Sequence, residues 1–141
     1  MRRGARKAAV MASMAEIKAV AERIGREFRP RRVILFGSHA YGKPTADSDV
    51  DLLVIMPLRT DPVYKSVEIA LKVRPGFPMD LLVRTPDEIR KRLAWNDFFI
   101  REIMEKGKVL YAADDRGVGG QGGRRPRRSG ARVSRAKKAG V

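Results

Sequence analysis

The sequence predicts a small α/β domain built on a mixed sheet of three or four strands flanked by helices. Short apolar runs rich in Val, Ile and Leu recur at Arg32–Phe36, Val50–Met56 and Met79–Val83, and they alternate with segments whose apolar residues follow helical spacing. A helix between the second and third runs supplies the crossover that two parallel strands need. The first run must end where the second begins if Gly37-Ser38 is to share one edge with the acids at 49 and 51, which makes the sheet mixed.

Taken in order, Met14–Phe28 sets Ile17, Val20, Ala21, Ile24 and Phe28 on one helix face. Pro30 stops this helix, because the residue ahead of a proline is driven out of helical geometry. After the first strand, Gly37-Ser38 turns the chain, Ser38–Tyr41 has room for a short helix, and Gly42-Lys43-Pro44 opens a polar loop. Val50–Met56 is apolar at nearly every position, which reads as a strand covered on both faces, and Pro57 ends it. Asp61-Pro62 joins a capping aspartate to a first-turn proline and starts a helix in which Val63, Val67, Ala70 and Leu71 share a face. Pro75-Gly76 breaks that helix ahead of the third strand.

Thr85-Pro86-Asp87-Glu88 has the form of a capping box, followed by Ile89 and Leu93 facing inward. Asn96-Asp97 interrupts, a second helix runs from Phe98 to Lys106 with Gly107 closing it, and Val109–Tyr111 suits a last strand. Trp95, Phe98 and Phe99 are expected in the core, with a partner surface as the alternative.

The net charge of +15 is unevenly distributed. Residues 1–9 hold four basic residues and residues 116–141 hold nine, with no acid in either segment, whereas residues 10–115 carry 18 basic against 16 acidic residues. The middle is nearly neutral, unlike a nucleic-acid-binding domain with a basic stripe on its fold. This division predicts a basic extension over 1–13, a folded domain over 14–115 and a disordered basic tail over 116–141. The tail's only large apolar residues are isolated valines, too few to offset its ordering entropy. Weak contact with nucleic acid through phosphate neutralisation is one use for it, and a solvated extension without a function is the other reading. No apolar run has the length of a membrane span, no secretory signal is recognisable and cysteine is absent. These features fit a cytoplasmic protein without disulfides or thiolate metal sites.

The chemistry concentrates in residues 37–51, G-S-H-A-Y-G-K-P-T-A-D-S-D-V-D, which set Gly37-Ser38 ten residues ahead of Asp49-Val50-Asp51. Side chains two apart on a strand project from one face, so Asp49 and Asp51 can share metal ions while Val50 turns into packing. A parallel third strand brings Asp80 beside them. Asp-x-Asp after a turn can also be a solvated strand entrance, and Gly-Ser is common in turns; the joint pattern with a third acid on its own strand is what points to function.

These residues resemble the minimal nucleotidyltransferases of the DNA-polymerase-beta superfamily, whose signature is Gly-Ser, ten residues, Asp-x-Asp and a third acid on a later strand. The resemblance runs from about Met14 to Ala112 with all parts in order. It implies the small nucleotidyltransferase fold and transfer of a nucleoside monophosphate, AMP from ATP, to a hydroxyl. It implies that Asp49 and Asp51 bind two magnesium ions, and that Asp80 ligates the catalytic ion and helps deprotonate the attacking hydroxyl. Gly37 would let the backbone approach the triphosphate, and Ser38, opening a short helix, would donate hydrogen bonds to it.

The stand-alone members of that family act as antitoxins that adenylylate a HEPN-type ribonuclease toxin, which implies such a protein as partner. The alternatives are transfer to a small molecule or an RNA end, and a module that binds a toxin without catalysis. This chain departs from the family in carrying Tyr41 where many members have arginine. His39 and Lys43 could touch phosphate or simply be solvated, and Asp47 and Ser48 suit hydrogen bonds within their own turn.

Overall fold

The computed structural model describes residues 11–113; residues 1–10 and 114–141, and with them the expected disordered tail and most of the expected N-terminal extension, lie outside the described residues. The chain runs α1 (Met14–Phe28), β1 (Arg32–Phe36), α2 (Ser38–Tyr41), β2 (Val50–Ile55), α3 (Pro62–Val73), β3 (Met79–Arg84), α4 (Pro86–Ala94), α5 (Phe98–Lys106) and β4 (Lys108–Ala112). The four strands form one sheet in the order β3-β2-β1-β4. β1 and β2 are antiparallel, whereas β2 and β3, joined through α3, are parallel, so the sheet is mixed as the sequence predicts.

Local chemistry sets the helix ends. Ser13 caps α1 in a reciprocal box: its hydroxyl accepts from the Glu16 amide at 3.1 Å, and the Glu16 carboxylate accepts from the Ser13 amide at 2.8 Å. Asp61 caps α3 by accepting from the Val63 amide at 2.8 Å, with Pro62 in the first turn. Thr85 accepts from the Glu88 amide at 3.1 Å, but the Glu88 carboxylate is drawn toward Arg84 and Arg92, so only half of the expected capping box is built. Asp97 caps α5 by accepting from the Ile100 amide at 3.1 Å, and Asn96 takes a left-handed conformation (φ 59°) that breaks the chain between α4 and α5.

The alternation of strand side chains divides the core into two layers. Val33 and Leu35 of β1, Val50, Leu52 and Val54 of β2, and Val83 of β3 face α1 and α3, meeting Ile17, Ala21, Ile24, Ile69 and Val73. Ile34 and Phe36 of β1 with Leu53 and Ile55 of β2 face α4 and α5, meeting Ile89, Ile100 and Ile103. β2 is therefore covered on both sides, as its unbroken apolar run requires.

Two expectations need correction or sharpening. Val63, Val67 and Leu71 do share a face of α3, but that face is exposed, because Ile69 and Val73 hold the inward side. Trp95, Phe98 and Phe99 are not core: they are 70%, 81% and 53% exposed. Ile89 and Leu93 occupy the inward side of α4, and Ile100 and Ile103 that of α5, leaving no inward position for the three aromatics.

Candidate active site

The sheet register brings the sequence-predicted acids together. Asp51 is the direct neighbour of Asp80 across the parallel β2–β3 pair, and the direct neighbour of Phe36 across the antiparallel β1–β2 pair. Asp51 shares the parity of Leu53 and Ile55, and Asp80 that of Leu82, so both carboxylates lie on the sheet face that α4 and α5 cover. Asp49 stands one residue ahead of β2 and is exposed, as is Asp80, whereas Asp51 is half-buried. Gly37 ends β1 at the same edge.

Gly37 fits against Asp51 in a way that only glycine permits. Its backbone sits at φ 75°, ψ −156°, a region essentially reserved for glycine, and a Cβ there would collide with Asp51 Oδ2. The Gly37 carbonyl accepts from the amides of Ala40 and Tyr41, both at 3.0 Å, which winds the single turn of α2. Gly37 thus closes β1, starts α2 and leaves room for a carboxylate. The sequence pattern marks the residue, but its contact with Asp51 depends on cross-strand register.

The polar loop is tied back to this edge. The Ser48 hydroxyl accepts from the Thr45 amide at 2.9 Å, and the Thr45 hydroxyl accepts from the Asp47 amide at 3.2 Å, so Thr45 and Ser48 hold the turn that leads into Asp49. His39 Nε2 lies 3.5 Å from the Ser48 carbonyl oxygen, linking α2 to the residue before Asp49. The sequence left His39 between a phosphate contact and a solvated side chain, and assigned Thr45 no part. A Thr-x-x-Ser spacing in a loop was the available signal. Ser38 is half-buried, and Lys43 is exposed on the loop.

Burial holds the Asp51 carboxyl above its ordinary value of 3.8; the Asp80 and Asp49 charges raise it further, and His39 pulls the other way. Asp51 therefore senses both neighbouring charges, and a cation beside it would relieve that repulsion. Carboxylate oxygens are the hard donors that magnesium prefers. Among the described residues no three His, Asp or Glu side chains stand close enough to hold a metal ion as placed, so a shared ion requires these carboxylates to turn toward it. Among the described residues no helix is long and apolar enough to cross a membrane.

Comparison with known proteins agrees with the fold. Residues 17–110 match the family described as nucleotidyltransferase domain. A protein of Methanocaldococcus jannaschii, provisionally named a protein adenylyltransferase, is 32% identical over 83 residues, which cover 59% of this chain and 80% of the relative. A crystal structure from Sulfolobus solfataricus, provisionally named a nucleotidyltransferase, superposes with a TM-score of 0.52 over 81% of this chain and 92% of that one; at 17% identity it bears on the fold alone. A toxin–antitoxin crystal structure with AMP-PNP matches at 20% identity over 73% of this chain and 77% of that one, with a TM-score of 0.45, a likeness too loose to carry an argument.

Proposed function

This chain belongs to the nucleotidyltransferase domain family, and we propose that it transfers AMP from ATP to a hydroxyl of a protein. The carrying observation is the register that sets Asp51 beside Asp80, with Gly37 against the Asp51 carboxylate at the same sheet edge. Support for a protein acceptor comes from the Methanocaldococcus jannaschii relative, of which this chain covers 80%. The HEPN-type toxin is the acceptor that the sequence resemblance favours.

Each residue has a part in the reaction. Gly37 admits the triphosphate to the backbone at the end of β1, and Ser38 donates to its terminal oxygens. Asp49 and Asp51 would hold two magnesium ions with Asp80 on one of them, which would stabilise charge on the incoming and departing oxygens. Asp80 accepts the proton of the acceptor hydroxyl. That oxygen's electron pair forms the new bond to the α-phosphorus, while the bond from the α-phosphorus to the α–β bridging oxygen breaks and pyrophosphate leaves with that pair. His39 positions the start of β2 through the Ser48 carbonyl and need not touch substrate.

The test is transfer of label from α-labelled ATP to protein in the presence of magnesium, comparing wild type with Asp51→Asn. Loss of charge stabilisation at one member of such a site costs about 10²–10³-fold or more in rate. Near-normal magnesium-dependent transfer by a folded Asp51→Asn variant would show the assignment to be wrong.

A further inference from the structure

We propose that the exposed aromatic corner between α4 and α5, formed by Trp95, Phe98 and Phe99, is the surface on which the protein acceptor docks. This rests on the protein-transfer reading above and adds where the acceptor binds.

Position carries the argument. β3 starts at the catalytic edge with Asp80 and runs away from it, α4 and α5 follow it in the chain, and a contact between Phe99 and Phe36 brings the start of α5 back to that edge. The corner also lies on the correct face, since α4 and α5 cover the side of the sheet from which Asp51 and Asp80 project. A direct contact joins the two regions: the Phe99 ring meets the Phe36 ring edge to face, with centroids 5.7 Å apart and planes at 83°. Phe36 is the cross-strand neighbour of Asp51 and immediately precedes Gly37. Phe99 thus reaches from the exposed corner to the buried ring beside Gly37 and Asp51, and a macromolecule offering a hydroxyl to the α-phosphate would cover ground next to that edge.

The chemistry of the corner fits a protein better than a nucleic acid. Residues 86–106 hold five acidic and five basic side chains, without the positive excess that phosphates require. Trp95 borders a recess of about 360 Å³ lined by Thr85, Asp87, Glu88, Lys91 and Arg92, and Phe98 borders another of about 300 Å³ lined by Arg101, Glu102, Glu105 and Lys106. Large aromatics ringed by charges of both signs match the apolar centre and polar rim of protein interfaces. The matching surface on the acceptor is an aliphatic patch close to the accepting hydroxyl. The exposed stripe Val63, Val67 and Leu71 of α3 is apolar too, but α3 packs on the opposite face of the sheet, away from the carboxylates.

The experiment supplies α-labelled ATP and magnesium to wild type, Phe98→Asp, Trp95→Ala and the α3 control Val67→Asp, with the extract of cells bearing the gene as acceptor pool. Affinity for AMP-PNP and the thermal midpoint are measured in parallel. Loss of an interface hot spot corresponds to roughly 30-fold. Label entering the main protein band should fall by about that factor in Phe98→Asp and Trp95→Ala. AMP-PNP affinity and thermal midpoint should hold, and Val67→Asp should behave as wild type. Because the two corner variants remove different side chains, one that misfolds leaves the other to decide. Wild-type labelling of the band by both corner variants, or an equal loss in Val67→Asp, overturns the docking site. Label entering nucleic acid in place of protein overturns it as well. If wild type binds AMP-PNP but labels no protein, the protein-transfer reading fails and the docking site with it, an outcome told apart from a corner-specific failure by the behaviour of the unmutated chain.

Discussion

Replacing Gly37 by alanine tests the geometry of the site with all three acids kept in the sequence. Two costs follow from the structure. The backbone at φ 75°, ψ −156° lies where only glycine is at ease, and forcing another residue there costs about 1–3 kcal/mol. The new methyl also runs into Asp51 Oδ2, so the carboxylate must leave its position or the turn must open. In a domain of this size 1 kcal/mol moves the thermal midpoint by about 4–8 °C, so the backbone cost alone sets a loss between about 4 °C and about 24 °C. Gly76→Ala is the control, since a Cβ there meets nothing and its φ lies outside the left-handed region. Circular dichroism melts of the nucleotide-free protein give both midpoints. Pairing Gly37→Ala with Asp51→Ala separates the two costs, because removing the carboxylate relieves the collision and leaves the backbone term. A Gly37→Ala midpoint within 1 °C of wild type refutes the reasoning, and strict additivity with Asp51→Ala refutes the contact.

Three further outcomes are expected. Because Asp51 holds its proton more readily when folded, its contribution to stability is fully present below the unfolded value of 3.8 and is lost as pH rises through the raised folded value. Metal-free Asp51→Asn should therefore melt above wild type at neutral pH, with the gap closing in acid; an equal or lower midpoint at neutral pH counts against the clustered-acid geometry. Gly25→Ala, which in a helix interior would ordinarily gain about 1 kcal/mol, should instead lose stability because its methyl meets the Tyr111 ring; a raised midpoint would contradict that packing. Ending the chain after Asp115 should leave both the thermal midpoint and AMP-PNP affinity unchanged, since residues 116–141 hold nine basic residues, no acid and no apolar face; a fall in either shows that the tail belongs to the working domain.

Whatever was encoded by local rules could be read from the sequence. Pro62 after Asp61, Thr85 ahead of Pro86 and Gly107 after Lys106 each mark a helix end within a few residues. The paired acids and Gly37-Ser38 stand out by spacing, and Asp80 is found once α3 is seen to force β2 and β3 parallel. Directions in space were harder. Val63, Val67 and Leu71 obey helical spacing as well as Ile69 and Val73 do, and periodicity does not say which stripe a neighbour will cover. Trp95, Phe98 and Phe99 were misplaced for the same reason: composition argues for burial, while the break at Asn96 and the prior claims of Ile100 and Ile103 turn them outward. The fit of Gly37 to Asp51 needed the cross-strand register, which no single strand states.

That register also explains how a site with two exposed acids can be held in place. Asp49 and Asp80 are exposed, but β2 carries apolar side chains into both core layers, and its neighbours β1 and β3 do the same. With β2 held by β1, a slip of one residue between β2 and β3 would turn Leu81 and Val83 out of one layer and Leu82 out of the other, at a cost of several buried side chains. The core thus fixes Asp51 against Asp80, and the antiparallel pairing with β1 fixes both against Gly37. The acids can repel one another and still stay in register, because the energy that aligns them comes from Val, Leu and Ile further along the same strands. The site is therefore expected to tolerate conservative changes in the exposed loop 43–47, while shortening Leu53 to alanine, which costs about 2–5 kcal/mol at a buried position, should loosen the carboxylates although it lies two residues from the nearest of them.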